Sequence, residues 1–574
     1  MTGGWRWAGA LFMAGAMWTA VGCGSGNESA DPGKPVVEDP PEAVQPPAED
    51  SGTPDAGGNL PDAGGEIPDA GTPPVDGGSD PVPDAGTPDS GTPDSGTPDS
   101  GTPDAGEVVV TIPSSAGWEF YGRQQGGPRF VYGVSADQGG NVWVAGGEDG
   151  LFLMKKGDNT LRRFTLEDGL HPYGIMRDGV GGPPPGDKYL KVISVAGGPS
   201  GTVFVGYEGK PPQKGMPTCE DEWDQSYNAG REPIAAIYKS GDADKVTLKA
   251  DGTLKVVHYD IHTGPNKVSR EMRGREKLCT IHRIAYDPKT QSVWFGGNHG
   301  FARGDAEFDG NVPVACFDPR PYTDKDFWWD FSCNGLLEHV HPAISGAPAP
   351  GGSAPVLTDR YFGIAVAENG DVFFGGQLRS TRFRYGTNGG NYWRAQAETE
   401  DPPYSWNRFD IWEDKDRDEE WPYPTEADRV DDHISAMSVT SSGDVWVSSF
   451  FYGLARLSPN GTVQTKVMQD LINYTPAGNG KPAQAPSSAV AVDPQDGSVW
   501  VGAHWWGGMT RLKSGEVMKY GTNVFGSQLV NGSSVSDIQF DRSGGKRRVL
   551  VSFQGYTKKD GTVVPGIIGI YTGD

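Results

Sequence analysis

The chain has 574 residues, a formal net charge of -26, and 85 glycines and 47 prolines among only 36% hydrophobic residues. It carries no run of Lys or Arg able to neutralise phosphates, which argues against a nucleic-acid partner. An abrupt change of composition near residue 107 divides an exported-looking leader from a chain able to fold, and four cysteines besides Cys23 follow it between residues 219 and 333.

Arg6 is followed by the apolar run AGALFMAGAMWTAVGC, too short and too glycine-broken for a spanning helix and suited to a signal peptide over 1–22. The run ends in Ala20, Val21, Gly22 and Cys23, which resembles the bacterial lipoprotein box. That resemblance implies acylation (palmitate included) of Cys23 and membrane attachment through the lipid. Gly24 in place of Asp implies an outer-membrane lipoprotein facing the periplasm or the cell surface. Residues 24–106 hold 18 acids, one cation (Lys34) and no aromatic residue, and end in GTPDS repeats. Such a segment has no means of building a core, so 23–106 is expected to be a disordered acidic stalk. Its random-coil span is roughly 50 Å, and proline with self-repulsion extends it.

From residue 107 one pattern recurs: a strand of alternating apolar and small residues, a tight turn, then Val, an aromatic, Val or Phe, and a small residue. The second strands are GGNVWVAGG, SGTVFVGYE, TQSVWFGGN, NGDVFFGGQ, SGDVWVSSF, DGSVWVGAH and the degraded GKRRVLVSF. Their anchors, Trp143, Phe204, Trp294, Phe373, Trp446, Trp500 and Leu550, are spaced 50 to 90 residues apart, so the longer intervals need insertions. The expectation is all-β: a seven-bladed β-propeller over 107–574 with long loop insertions, preceded by the signal peptide and the Pro/Gly/Asp-rich linker. The blades are expected at about 123–168, 189–262, 280–318, 359–412, 432–470, 486–523 and 533–574. The last copy runs out after three strands, and GWEFYG at 117–122 resembles the missing fourth, so it is expected to close the ring against 566–572.

These copies resemble the propeller repeat of two-component-regulator sensory domains, best at 139–151 and 497–509. The resemblance implies the fold. It does not imply signalling, because no kinase or DNA-binding segment is present in the sequence.

Insertions at 169–188, 209–230, 318–358 and 399–431 fall after second strands or between blades, the two loop classes that share one rim. On that rim the loop tips offer His299, the trio Phe450, Phe451 and Tyr452, and the trio His504, Trp505 and Trp506 as candidate binding residues. At the channel ends of the first strands stand Tyr132, His282 with Arg283, Tyr361 with Phe362, His433 and Asp537. Of these, His282, Arg283, His433 and Asp537 are the candidates for acid–base chemistry. No zinc-protease, nucleophile-elbow or carboxylate-triad motif accompanies them. Asp414, Asp416, Asp418 and Glu420 alternate as calcium ligands would, although Glu419 and Thr425 depart from an EF-hand loop. The cysteines allow three pairings; Cys316–Cys333 with Cys219–Cys279 is preferred. Two functions result: a monomeric binding or scaffold domain for a protein or polysaccharide, needing no cofactor, or a hydrolase or lyase of an envelope or extracellular polymer at the axial mouth.

Overall fold

A computed structural model describes residues 106–173, 188–209, 241–259 and 280–310 except 298–299. It also describes 338–340, 343–348, 355–357, 360–376, 380–383 and 409–411, and, from 434 to 573, all but 451–452, 458–462, 468–485, 506 and 542. The leader, the stalk before residue 106, the four cysteines and the 412–433 segment lie outside the described residues. No described helix is long and apolar enough to cross a membrane.

The chain is a β-propeller, and the described strands form seven four-stranded antiparallel sheets. The first strands are Gly133–Ala136, Val192–Gly197, Ile281–Asp287, Gly363–Val366, Ile434–Val439, Ser487–Val492 and Val535–Phe540. Each packs beside the next, and Val535–Phe540 returns to Gly133–Ala136, which closes the circle. Blades are numbered 1 to 7 in that order. Six are contiguous, each built from four successive strands. The seventh sheet joins Val535–Phe540, Val549–Phe553 and Ile567–Tyr571 to Trp118–Tyr121, with Trp118 opposite Tyr571 and Tyr121 opposite Ile568.

Two features correct the expected architecture. Self-contained blades number six rather than seven, the last sheet being a composite of distant segments. Blade 3 does not end at 318: its fourth strand is Glu338–Val340, and a hairpin of Ala343–Pro348 with Pro355–Leu357 occupies ground assigned to an inserted loop. Within this all-β fold a helical segment, Thr522–Val530, joins blades 6 and 7 and is kinked at Gly526. Gly526 has φ 77°, and a Cβ there would strike the Thr111 carbonyl, so glycine is required where the segment around Thr111 crosses the helix.

The motif's residue types follow from blade-on-blade packing. Second strands such as Val142–Ala145 and Val499–Ala503 are buried along their whole length because neighbouring blades cover both faces. The small residue that ends them makes room for the next first strand. A Cβ on Gly206 would come within 2.8 Å of Ile281 Cβ, and one on Gly502 within 2.5 Å of Val535 Cβ.

Candidate functional site at the axial mouth

Because second strands end and first strands begin at one rim, the residues flanking them are stitched together there. Tyr132 N–H donates to Ala145 O at 2.9 Å, Tyr361 N–H to Gly297 O at 2.8 Å, and His504 N–H to Pro486 O at 3.0 Å. Alternation then divides neighbouring residues. Tyr361 is buried edge-on to Phe301, whereas Phe362 turns to the mouth and meets the half-buried His282 at 4.2 Å between ring centroids. From there rings follow in sequence: Phe362 to Phe450 at 5.2 Å, Phe450 to His504 at 5.0 Å, and His504 to Trp505 at 4.2 Å. Loop-tip and strand-start candidates, distinct classes in the sequence, thus become one arc of half-buried rings across blades 3 to 6.

Burial pulls the basicity of both imidazoles down to about 3, with the Arg360 charge adding to the effect at His282. Both are therefore neutral at ordinary pH. Ser534 Oγ accepts the Trp505 N–H at 3.0 Å and shares a hydrogen bond of 3.0 Å with His504 Nδ1.

Arg283 and Asp537 meet each other across the mouth. Arg283 Nη1 donates to Asp537 Oδ1 at 2.9 Å, while its Nε donates to Phe362 O at 3.1 Å. The same carboxylate oxygen accepts Ile538 N–H at 2.9 Å and Gln539 Nε2 at 3.0 Å, and Val134 N–H lies 3.5 Å from Oδ2. One ion pair therefore ties blade 3 to blade 7 and to the edge of blade 1.

A second polar cluster, which sequence reasoning missed, lies on the same rim at blade 2. Asp244 accepts from the Tyr207 hydroxyl, from His171 N–H at 2.7 Å and from His258 Nδ1 at 2.8 Å. Asp242 Oδ2 is 3.9 Å from His258 Nε2, and the rings of His171 and His258 are 4.9 Å apart. The signal was available in the cross-strand register that sets Asp244 opposite His258. Among the described residues no group of three or more His, Cys, Asp or Glu is arranged to hold a metal ion. His299, Phe451, Tyr452, Trp506, His433, the acids Asp414, Asp416, Asp418 and Glu420, and all the cysteines including Cys23 lie outside the described residues.

The chain matches no known family profile and no curated protein. Among solved structures it is similar to YCF48 bound to D1 peptide, at 11% identity and TM-score 0.40, covering 81% of this chain and 100% of that one. A streptogramin B lyase structure gives 13% identity and TM-score 0.39, covering 80% of this chain and 100% of the lyase. A catalytically inactive virginiamycin B lyase from Staphylococcus aureus with quinupristin gives 12% identity and TM-score 0.39, with 80% and 99% covered. At such identities none of these proteins' activities follows for this chain.

Proposed function

We propose that this protein is a recognition module, carried at the outer membrane by a lipid on Cys23, that binds a protein or polysaccharide through the insertion-rich face. The observation that carries this reading is the unbroken His282–Phe362–Phe450–His504–Trp505 arc at the axial mouth. Half-buried rings on a rigid rim offer large contact area at little entropic cost. The same geometry speaks against the hydrolase or lyase alternative. A general acid or base works best with a pKa near the working pH, and burial holds His282, the acid–base histidine among the described residues, at about 3. Arg283 and Asp537, the charged axial candidates, are committed to each other.

The test compares the wild type with a Phe362→Ala, Phe450→Ala double variant on immobilised envelope polysaccharide and on separated envelope proteins. Loss of an anchoring aromatic pair is expected to weaken retention at least about tenfold on one of the two supports. Equal retention by the variant on both, or release of shortened polymer by the wild type, would overturn the proposal.

A further inference from the structure

Residues 106–112 run through a groove on the mouth-side rim. One wall is the hairpin of Tyr556–Thr557 and Val563–Val564, which follows the second strand of blade 7, and the other is the Thr522–Val530 helix. Val563 N–H donates to Gly106 O at 2.9 Å and Val563 O accepts Val108 N–H at 3.0 Å, so this strap runs parallel to the hairpin strand beside it. From the helix side the Gln528 amide holds the same backbone. Its Oε1 accepts Thr111 N–H at 2.7 Å, and its Nε2 donates to Val109 O at 3.3 Å. A Cβ on Gly526 would stand 2.4 Å from the Thr111 carbonyl oxygen, so the helix is bare where the strap lies on it. Val110 and Ile112 are half-buried against the apolar cluster that holds Phe525 and Val530, whereas Val109 and Thr111 are exposed. The Glu107 side chain, 1% exposed, sits between Arg123 Nε at 3.1 Å and Arg129 Nε at 3.4 Å.

We propose that this groove is a second interaction surface, suited to an extended peptide segment of a partner protein, and that residues 106–112 occupy it in cis as an internal competitor. The proposal goes beyond the recognition reading above and does not depend on the ring arc. Val563 and Gln528 bind main-chain atoms alone, and any extended segment supplies those. Selection falls to the two arginines, which take a carboxylate, and to the groove floor, which takes apolar groups three and five residues after it. The ligand is therefore an extended segment with an acid at its head and alternate apolar residues behind. The strap is also the shallowest part of the segment that closes the ring. Val109 at its centre is 56% exposed and Trp118 of the closing strand is 9% exposed, so the strap can leave with the ring still closed. The groove adjoins the loop of His504 and Trp505, because Gly507 N–H donates to Val530 O at 3.0 Å at the end of the helix. A partner seated over the mouth reaches it without leaving that face.

The experiment uses the full chain with Glu107 to Ile112 replaced by glycine and serine at equal length, which empties the groove and leaves Trp118–Tyr121 in place. The probe is a fluorescein-labelled synthetic peptide of residues 105–113, followed by fluorescence anisotropy. The replaced chain is expected to bind it at least about tenfold more tightly than the wild type, whose own strap leaves few grooves open. Gln528→Ala in the replaced chain, and Glu107→Lys in the peptide, should each weaken binding by about tenfold or more. Should the melting curve show that the replaced chain does not fold, full-length Glu107→Lys takes its place. That change sets a like charge against Arg123 and Arg129 and should bind the probe more tightly than the wild type. Equal binding by wild type and replaced chain, no binding by any folded variant, or indifference to the lysine in the peptide would each overturn the proposal. So would gel filtration showing wild-type dimers that the replaced chain does not form, because the groove would then belong to the strap of a second copy.

Discussion

His282 and His504 make the mouth sensitive to acid in a direction that can be worked out. Both have basicity lowered by burial from the ordinary 6.5 to about 3 in the folded chain. Between those values the unfolded chain binds protons that the folded one refuses, so stability falls as pH drops from about 6.5 and levels off above it. Each such proton contributes at most about 1.4 kcal/mol per pH unit. Melting temperatures from pH 4 to 8 should show this slope, and His504→Asn, which keeps a hydrogen-bonding group toward Ser534, should flatten it. An unchanged slope in the variant would mean His504 is not buried in its neutral form. At the same mouth, Arg283→Met leaves the Asp537 side chain, 5% exposed, with an unpaired charge. The expected loss is about 3–5 kcal/mol. Adding Asp537→Asn to that variant should recover part of it in denaturant titrations, because a neutral amide can still accept Ile538 N–H.

At the scale of the strand, the Val-Trp-Val copies conceal a second regularity. Trp294, Trp446 and Trp500 sit opposite Arg303, Arg456 and Arg511 on the third strand. Each arginine reaches back to the turn before its tryptophan: Arg303 Nε to Ser292 Oγ at 2.8 Å, Arg456 Nη2 to Asp444 at 2.8 Å, and Arg511 Nη2 to Asp496 at 2.7 Å. Arg511 also lies 4.8 Å above the Trp500 ring. Blade 1 solves the same problem differently, with Leu153 opposite Trp143 and the indole N–H donated to Asp137 at 3.0 Å. Burial separates otherwise similar pairs. The Arg511 side chain is 1% exposed and that of Arg456 is 43% exposed. Arg511→Ala should therefore cost about 1–3 kcal/mol, limited because Lys513 and Arg547 still serve Asp496. Arg456→Ala should cost about 0–1 kcal/mol. Chemical denaturation of both variants checks the ranking; equal costs would mean the cross-strand cap works through the turn and not through burial.

For the molecule as a whole, the repeat was legible because every blade buries both faces against like neighbours, which imposes one alternation and one small residue on each copy. Of the mouth, His282, Phe450, His504 and Trp505 could be picked out by residue type and position. Their contiguity through Phe362 could not, since it depends on how the blades splay. The Arg283–Asp537 pair joins residues 254 positions apart and left no local trace. The three-residue strand Glu338–Val340 is too short to show a period, and the helix over Thr522–Val530 is broken by Gly526, so neither shows in a pattern search. Closure was legible for a different reason: a last copy one strand short demands a partner for its edge. Trp118 meets that demand with its ring 5.1 Å from Phe525 and 5.0 Å from Tyr571. Ahead of it, Glu107 bridges to Val563, and its carboxylate pairs with Arg123 and Arg129. A chain beginning at residue 107 should thus melt like the full protein, and Trp118→Ala should cost about 3–5 kcal/mol. A chain beginning at residue 123 bares the Ile567–Tyr571 edge, a template for pairing with another copy. It should melt at lower temperature and elute as oligomers, and a synthetic 107–122 peptide should restore both properties. If the shortened chain stays monomeric and equally stable, the two ends of blades 7 and 1 hold together by first-strand packing alone, and the composite sheet is dispensable.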